Sequence, residues 1–341
     1  MNHETPLSPL PLHLLSGLRC RVLTRHQLQQ HGVPAAELTE RCRPGGGWQQ
    51  LLPGVYLLHP GAPTSEERLH AVLLYAAHRG PGVPRQPDPS GDTPQAMITG
   101  LAALALHGFS ESPPLLALDR IEVLVARSRR LRSAGFARVV RTVELPVAQE
   151  VTGVPTAPVP RALADAVAGI GDASAVRRLL TESVRGGHCE APAVVRELSR
   201  ARLLSRPHVV DAVDTLLAEG RALAEQRLYA MVRDHDLPDP LWNVDLRLPG
   251  GPHLGGVDAF WPEHGVALEI DTRAPRPEEG PSPHSAFDHK REHLERLGIA
   301  VVRCLPRTLR DAPDQQAAVV RTALMAAPDR HPTSYVVALP R

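Results

Sequence analysis

The sequence has almost no lysine and few aromatic residues. Lys290 is the only lysine, although Lys and Arg together number 38, and Phe, Trp and Tyr make up 3% of the 341 residues. Arginine therefore carries the positive charge, and the core must be built mainly from Leu, Val and Ala. The net charge is +1, so the charge of the whole chain recruits neither nucleic acid nor a membrane. Any basic surface has to be local.

Long apolar runs and paired cysteines are also missing. No apolar run approaches the roughly 20 residues that cross a membrane. Prolines break residues 6–15, which have no basic flank, so a signal peptide is not expected there. The four cysteines lie far apart without CxxC spacing, which favours buried thiols over disulfides or zinc ligands. They are Cys20, Cys42, Cys189 and Cys304. These features predict a cytoplasmic protein.

The residues that follow the proline-broken N-terminal stretch show the pattern of two helices followed by a hairpin. Thr24 and Gln27 have the spacing of a capping box, which begins the first helix. A second helix is predicted over 35–43, and two β-prone runs within 45–58 flank the turn signal Pro53–Gly54. This order is typical of a winged helix-turn-helix, whose second helix enters the major groove of DNA.

The run from Leu23 to Leu58, with Trp48 and Gly54-Val55-Tyr56, resembles the N-terminal domain of AbiEi-type antitoxins and related transcriptional regulators. The resemblance implies that a domain over 1–62 binds DNA. It also implies a protein partner, a nucleotidyltransferase toxin, as a further function.

Arginines near the two predicted helices are the expected nucleic-acid contacts of this domain. They are Arg25, Arg41 and Arg43. Glu37 and Glu40 lie on the second helix, and carboxylates repel phosphate. They favour the alternative, a helical pair that only contacts proteins.

A basic segment lies in the middle of the chain between two predicted strands, 121–126 and 137–143. Its four arginines are Arg127, Arg129, Arg130 and Arg132. Arginine binds phosphate through two hydrogen bonds, and no aromatic residue interleaves the segment, so we expect contact with a nucleic-acid backbone and no base stacking. The alternative is a solvated loop.

Other runs of this middle region fit the same family. An apolar helix is predicted over 96–107, and the runs 98–109 and 151–165 resemble the middle of AbiEi-like proteins. We therefore predict a mixed α/β middle domain with a helical extension over 63–210.

Three carboxylates, Asp258, Glu269 and Asp271, fall on two adjoining predicted strands near the C-terminus. Strand alternation places them on one face. Glu269 interrupts an apolar strand, where an unpaired charge is costly. Either a divalent cation or pairing of Glu269 with an arginine removes that cost.

The predicted order around these acids is helix, three-strand meander, helix and strand. Together with the motifs it resembles the very-short-patch-repair type of the PD-(D/E)XK, or restriction-endonuclease-like, family. The motifs are Leu237–Pro240, Asp258, Glu269 with Asp271, Asp288 with Arg291, and Gly298–Arg303. The resemblance implies a domain over 211–341 in which Asp258, Glu269, Asp271 and the helical Glu225 bind Mg²⁺ for hydrolysis of a DNA phosphodiester.

Two departures from the family pattern bear on activity. Asp271 stands where the motif has its lysine, and Thr272 stands where a glycine is expected. Lys290 on the next helix is the predicted replacement as charge stabiliser, and His284 the replacement for a family histidine. An active endonuclease, a nuclease-like fold used for binding, and a structural remnant all stay open.

The sequence therefore predicts an α+β multidomain protein. Its expected parts are a winged helix-turn-helix, a mixed α/β middle region and a restriction-endonuclease-like α/β domain. The predicted function is DNA-binding, antitoxin-like regulation. The alternatives are a Mg²⁺-dependent endonuclease and a toxin-binding module.

Overall fold

In the computed structural model the described residues are 21–77, 96–272, 286–326 and 336–341. The chain divides into two compact units, 1–179 and 180–341. The division falls inside a helix, Ala173–Arg185, within the range assigned above to the middle domain. Helices and sheets occur together in both units, so the protein is α+β and multidomain as predicted.

The first unit begins with two short helices beside a three-stranded antiparallel sheet of order β1-β3-β2. The elements are β1 Val22–Thr24, α1 Arg25–Gln30, α2 Ala35–Arg41, β2 Gln49–Leu52 and β3 Val55–Leu57. The predicted capping box is confirmed, because the Thr24 N–H donates to Gln27 Oε1 at 2.8 Å and the Gln27 N–H donates to Thr24 Oγ1 at 3.2 Å. Gly54 turns the predicted hairpin with φ +75°.

A five-stranded sheet of order β6-β5-β4-β8-β7 follows in the same unit. Its elements are α3 Ser65–Ala77, β4 Ala96–Thr99, α4 Gly100–Leu106, β5 Ile121–Ala126, β6 Ala137–Thr142, β7 Gln149–Val151, β8 Val154–Thr156 and α5 Val159–Gly169. The prediction of one helix over 96–107 is wrong at its start. The first four residues are buried and pair with β5, and Gly100 begins the helix only after them.

The second unit contains a five-stranded sheet of order β12-β11-β10-β9-β13, in which only β11 and β12 are parallel. Before and within it lie α6 Ala173–Arg185, α7 Ala191–Arg200, α8 Pro207–Asp234, β9 Leu241–Arg247, β10 His253–Trp261, β11 Val266–Ile270, α9 Ala286–Arg296, β12 Ala300–Cys304, α10 Pro306–Asp311, α11 Pro313–Met325 and β13 Val337–Pro340. The predicted order of helix, meander, helix and strand is confirmed.

Two apolar clusters hold this sheet between helices. One cluster joins α8 and α11 to the sheet and includes Leu228, Trp261 and Leu268. The other joins α9 to the sheet and includes Phe260 and Leu294. Within the described part of the chain, no helix has the length and apolar character needed to span a membrane.

Candidate functional site

The acids singled out in the second unit are brought together by the pairing of β10 and β11. Ala259 pairs with Leu268 in that antiparallel ladder, so Asp258 and Glu269 follow next in register on neighbouring strands. Asp271 comes one residue after β11 ends. Asp258 and Asp271 are only 3% and 7% exposed, so each requires a partner for its charge.

Arg221 provides that partner for Asp258. Its Nη2 donates to Asp258 Oδ1 at 2.6 Å, and its Nε pairs with Glu225 at 2.8 Å, one turn further along α8. The N–H of Ile270 donates to the other Asp258 oxygen at 2.6 Å. One arginine therefore joins two of the predicted metal ligands, and both oxygens of Asp258 accept hydrogen bonds.

Lys290 extends from α9 to Glu269. Its Nζ lies 2.9 Å from Glu269 Oε2 and donates to the carbonyl of Gly256 at 2.5 Å. Its stem passes directly over Gly255, where an added Cβ would lie 2.7 Å from Lys290 Cε. Gly255 also has φ +119°, which disfavours side chains. The only lysine of the chain thus reaches the carboxylates through a gap that the glycine leaves open.

The third acid, Asp271, is held from β12. Arg303 lies opposite Glu269 in the parallel ladder and donates from Nη2 to Asp271 Oδ2. The N–H of Asp271 donates to the Cys304 carbonyl at 2.8 Å. Asp271 is therefore fixed at the end of β11 by both its backbone and its side chain.

Each of these carboxylates engages a cation from a different element. Asp258 is held by α8, Glu269 by α9 and Asp271 by β12. Over the ranges that the structure describes, no three His, Cys, Asp or Glu side chains are arranged to hold a metal ion. In this arrangement one oxygen of each predicted ligand contacts an arginine or a lysine, so Mg²⁺ would compete with these cations. His284 lies outside the described residues.

The arginines of α2 are similarly occupied. Arg41 pairs with Glu37 and lies over the ring of Trp48, 4.4 Å from its centroid. Arg43 pairs with Glu40 at 2.8 Å. The two glutamates of α2 that oppose DNA contact thus pair with Arg41 at the end of the helix and with Arg43 just beyond it. Arg25, at the start of α1, is exposed.

The arginine segment, residues 127–132, is a loop that joins the parallel strands β5 and β6. Arg129 points inward and donates to the Ala76 carbonyl at the end of α3. The Tyr75 hydroxyl donates to the Arg132 carbonyl at 2.7 Å. The other three arginines have exposed side chains that form no ion pair or hydrogen bond with any described residue. They are Arg127, Arg130 and Arg132.

A further ionisable cluster escaped the sequence reading. Burial raises the pKa of Glu122 on β5 to about 7; nearby Arg138 opposes this shift and Asp165 adds to it. Asp165 accepts two hydrogen bonds from Arg161, at 2.8 and 2.9 Å, and one from Thr99 at 2.6 Å. The only signal in the sequence is a single acid in the apolar run of β5.

The sequence also gave little indication of the arginines that pair with Asp258 and Asp271 in the second unit. Arg221 precedes Glu225 by four residues, a spacing that pairs side chains on a helix. This spacing predicts the contact of Arg221 with Glu225. It does not predict the second contact of Arg221, with Asp258. Arg303 was noted only as the end of a motif, since its partner depends on the pairing of β11 with β12.

Comparison of the sequence with models of known protein families gives no match, and comparison with curated proteins also gives none. The functional assignment therefore rests on the geometry of the two units.

Proposed function

We propose that the protein is a DNA-binding regulator, with an antitoxin-like winged helix-turn-helix at its N-terminus and a restriction-endonuclease-like C-terminal domain that does not cleave. The observation that supports DNA binding is the order of elements over residues 24–57. Two short helices meet at Gly32, which has φ +80°, and a two-residue turn closes the following hairpin. In winged helix proteins this order presents the second helix to the major groove.

The proposal for the C-terminal domain is supported by its strand order and its charges. A three-strand meander, a helix and a parallel fourth strand follow a long helix. Three cations of the chain itself, Arg221, Lys290 and Arg303, contact the four carboxylates Glu225, Asp258, Glu269 and Asp271. These cations offset three of the four negative charges, which weakens the attraction of the site for Mg²⁺.

One specific observation favours the endonuclease as a second candidate. Lys290 and Glu269 are in direct contact, and a lysine beside the motif glutamate is what the PD-(D/E)XK pattern requires. Nicking of DNA that depends on a divalent cation and is lost in Glu269→Ala would establish this function.

Binding is tested by selection from a pool of random duplex DNA in EDTA. We expect enrichment of one sequence by the wild-type chain. Ala36→Glu, at an exposed position of α2, should abolish enrichment, because it adds a carboxylate where DNA would lie. Ala222→Glu, the same change at an exposed position of α8, is the matched control. Failure of the wild-type chain to bind any duplex would refute the proposal.

A further inference from the structure

The winged-helix part lacks free positive charge on its second helix. Arg41, at the end of α2, and Arg43, just beyond it, are paired with glutamates of this helix. Duplex DNA binding draws most of its salt-dependent affinity from arginine and lysine that neutralise phosphates. Arg25 of α1 is exposed, and the described residues give it no carboxylate partner. If this protein binds DNA as proposed above, further phosphate contacts would come from another surface of the same unit.

The arginine segment gives the first unit a basic surface on a loop that is held in place. Its loop is pinned by Tyr75 and by the inward-pointing Arg129, while three arginines face solvent. The side chain of Arg141 on β6 donates to the Leu131 carbonyl and closes the loop from the other side. The backbone of the loop is thus fixed by side chains that are not available to a ligand. The three outward-facing arginines are available to one.

The residues that follow this loop lie against the hairpin β2–β3 of the winged-helix part. An added Cβ on Gly135 would lie 3.2 Å from Leu52 Cδ2 and 3.7 Å from the Leu51 carbonyl oxygen. Both leucines belong to β2, which is an edge strand of the three-stranded sheet. Helix α3 packs on this sheet and on β5. The hairpin and the arginine segment are therefore adjacent parts of one unit.

We propose that the hairpin β2–β3 and the arginine segment form one composite surface that grips the sugar-phosphate backbone of duplex DNA. This inference rests on the proposed function. Arg127, Arg130 and Arg132 contact phosphates, and the hairpin follows the adjacent backbone. The residues between the arginines, Ser128 and Leu131, carry no ring on which an unpaired base would stack, which favours a duplex over a single strand.

The test compares the full-length wild-type chain with the triple variant Arg127→Gln/Arg130→Gln/Arg132→Gln. Binding to the selected duplex is measured over a range of salt concentrations. We expect the slope of log affinity against log salt to fall by about 2.7, because each phosphate contact contributes about 0.9. Sequence preference should stay unchanged, since backbone contacts carry no base information.

The matched control removes the same charge elsewhere. It is Arg177→Gln/Arg202→Gln/Arg233→Gln, at three exposed positions outside the surface. If the two triple variants lose the same slope, the composite surface is refuted while DNA binding stands. If the wild-type chain binds no duplex, the proposed function itself fails. Equal binding of single strands, or of polyglutamate in place of duplex, also overturns the inference.

A second pair of variants tests adjacency without changing charge. Gly135→Ala should weaken duplex binding, because the added Cβ presses on β2 and Gly135 has φ +49°. Gly153→Ala, with φ +78° and no atom within 4 Å of the added Cβ, is the control and should bind as the wild-type chain does. Equal affinity of both variants and the wild-type chain would contradict a composite surface.

Discussion

Asp258→Asn distinguishes a cluster held by cations of the chain from a metal site. In EDTA the two hypotheses predict changes of opposite sign in the free energy of unfolding. If Arg221 is the counterion of Asp258, the substitution removes a charge-assisted hydrogen bond of 2.6 Å at a side chain that is 4% exposed. If the acids instead await a metal, removing one relieves their mutual repulsion and stabilises the protein, as replacement of active-site charges often does.

The expected loss follows from the contacts of Asp258. A hydrogen bond to a charged group contributes about 1.5–3 kcal/mol. Arg221 is 40% exposed and keeps Glu225 as a partner, so solvent screens part of the change. The asparagine can still accept from the Ile270 N–H. We therefore expect the free energy of unfolding to fall by about 2 kcal/mol.

The assay is urea unfolding of the second unit in the full-length chain. Trp48→Phe removes the only tryptophan of the first unit, which leaves Trp242 and Trp261 as fluorescence reporters. The control is Asp234→Asn on α8, whose side chain is 58% exposed and pairs with Arg233; it should change stability by less than about 1 kcal/mol. Greater stability of Asp258→Asn than wild type in EDTA, reversed by Mg²⁺, would refute the counterion account.

Three further predictions concern the first unit. Gly100→Ala should destabilise it by more than about 2 kcal/mol, because the added Cβ would overlap the Glu122 carboxylate at a φ of +64°; Gly153→Ala, with open space, should cost about 1 kcal/mol in urea unfolding. Thr24→Ala should cost about 1 kcal/mol by loss of the cap, whereas Thr39→Ala, whose hydroxyl only donates back to Ala35, should cost less. A Glu122 pKa of about 7 against an ordinary 4.5 means that the folded state holds a proton that the unfolded chain releases. Stability should thus fall by about 2 to 3 kcal/mol as pH rises from 4.5 through 7, and Glu122→Gln, unfolded at the same pH values, should lose this slope; an unchanged slope would contradict the assignment.

Local signals predicted much of the fold because they depend on neighbours in the chain. The capping box of Thr24 and the turn at Pro53–Gly54 are set within a few residues. Short β-prone runs predicted β9 to β12 of the second unit, whereas β13 was not predicted. The run 96–107 was misread because residues 96–99 form a buried strand against β5, and that pairing partner lies more than 20 positions away in the sequence.

The site was less predictable, since its partners come from distant elements. Asp258, Glu269 and Asp271 stand out in the sequence, but their cations lie on α8, α9 and β12. Lys290 was predicted to replace the motif lysine as charge stabiliser, but its contact with Glu269 depends on the passage over Gly255. Pairing across such distances follows from strand register and helix packing, which no local spacing encodes.

In the proposed function the protein binds DNA without cutting it. The most direct measurement incubates the selected duplex, labelled at one end, with the full-length chain in EDTA and in Mg²⁺ or Mn²⁺, and resolves bound and cleaved DNA separately. We expect the same retarded complex in all three conditions and intact DNA throughout. Strand breaks that require the divalent cation and disappear in Glu269→Ala would contradict the claim.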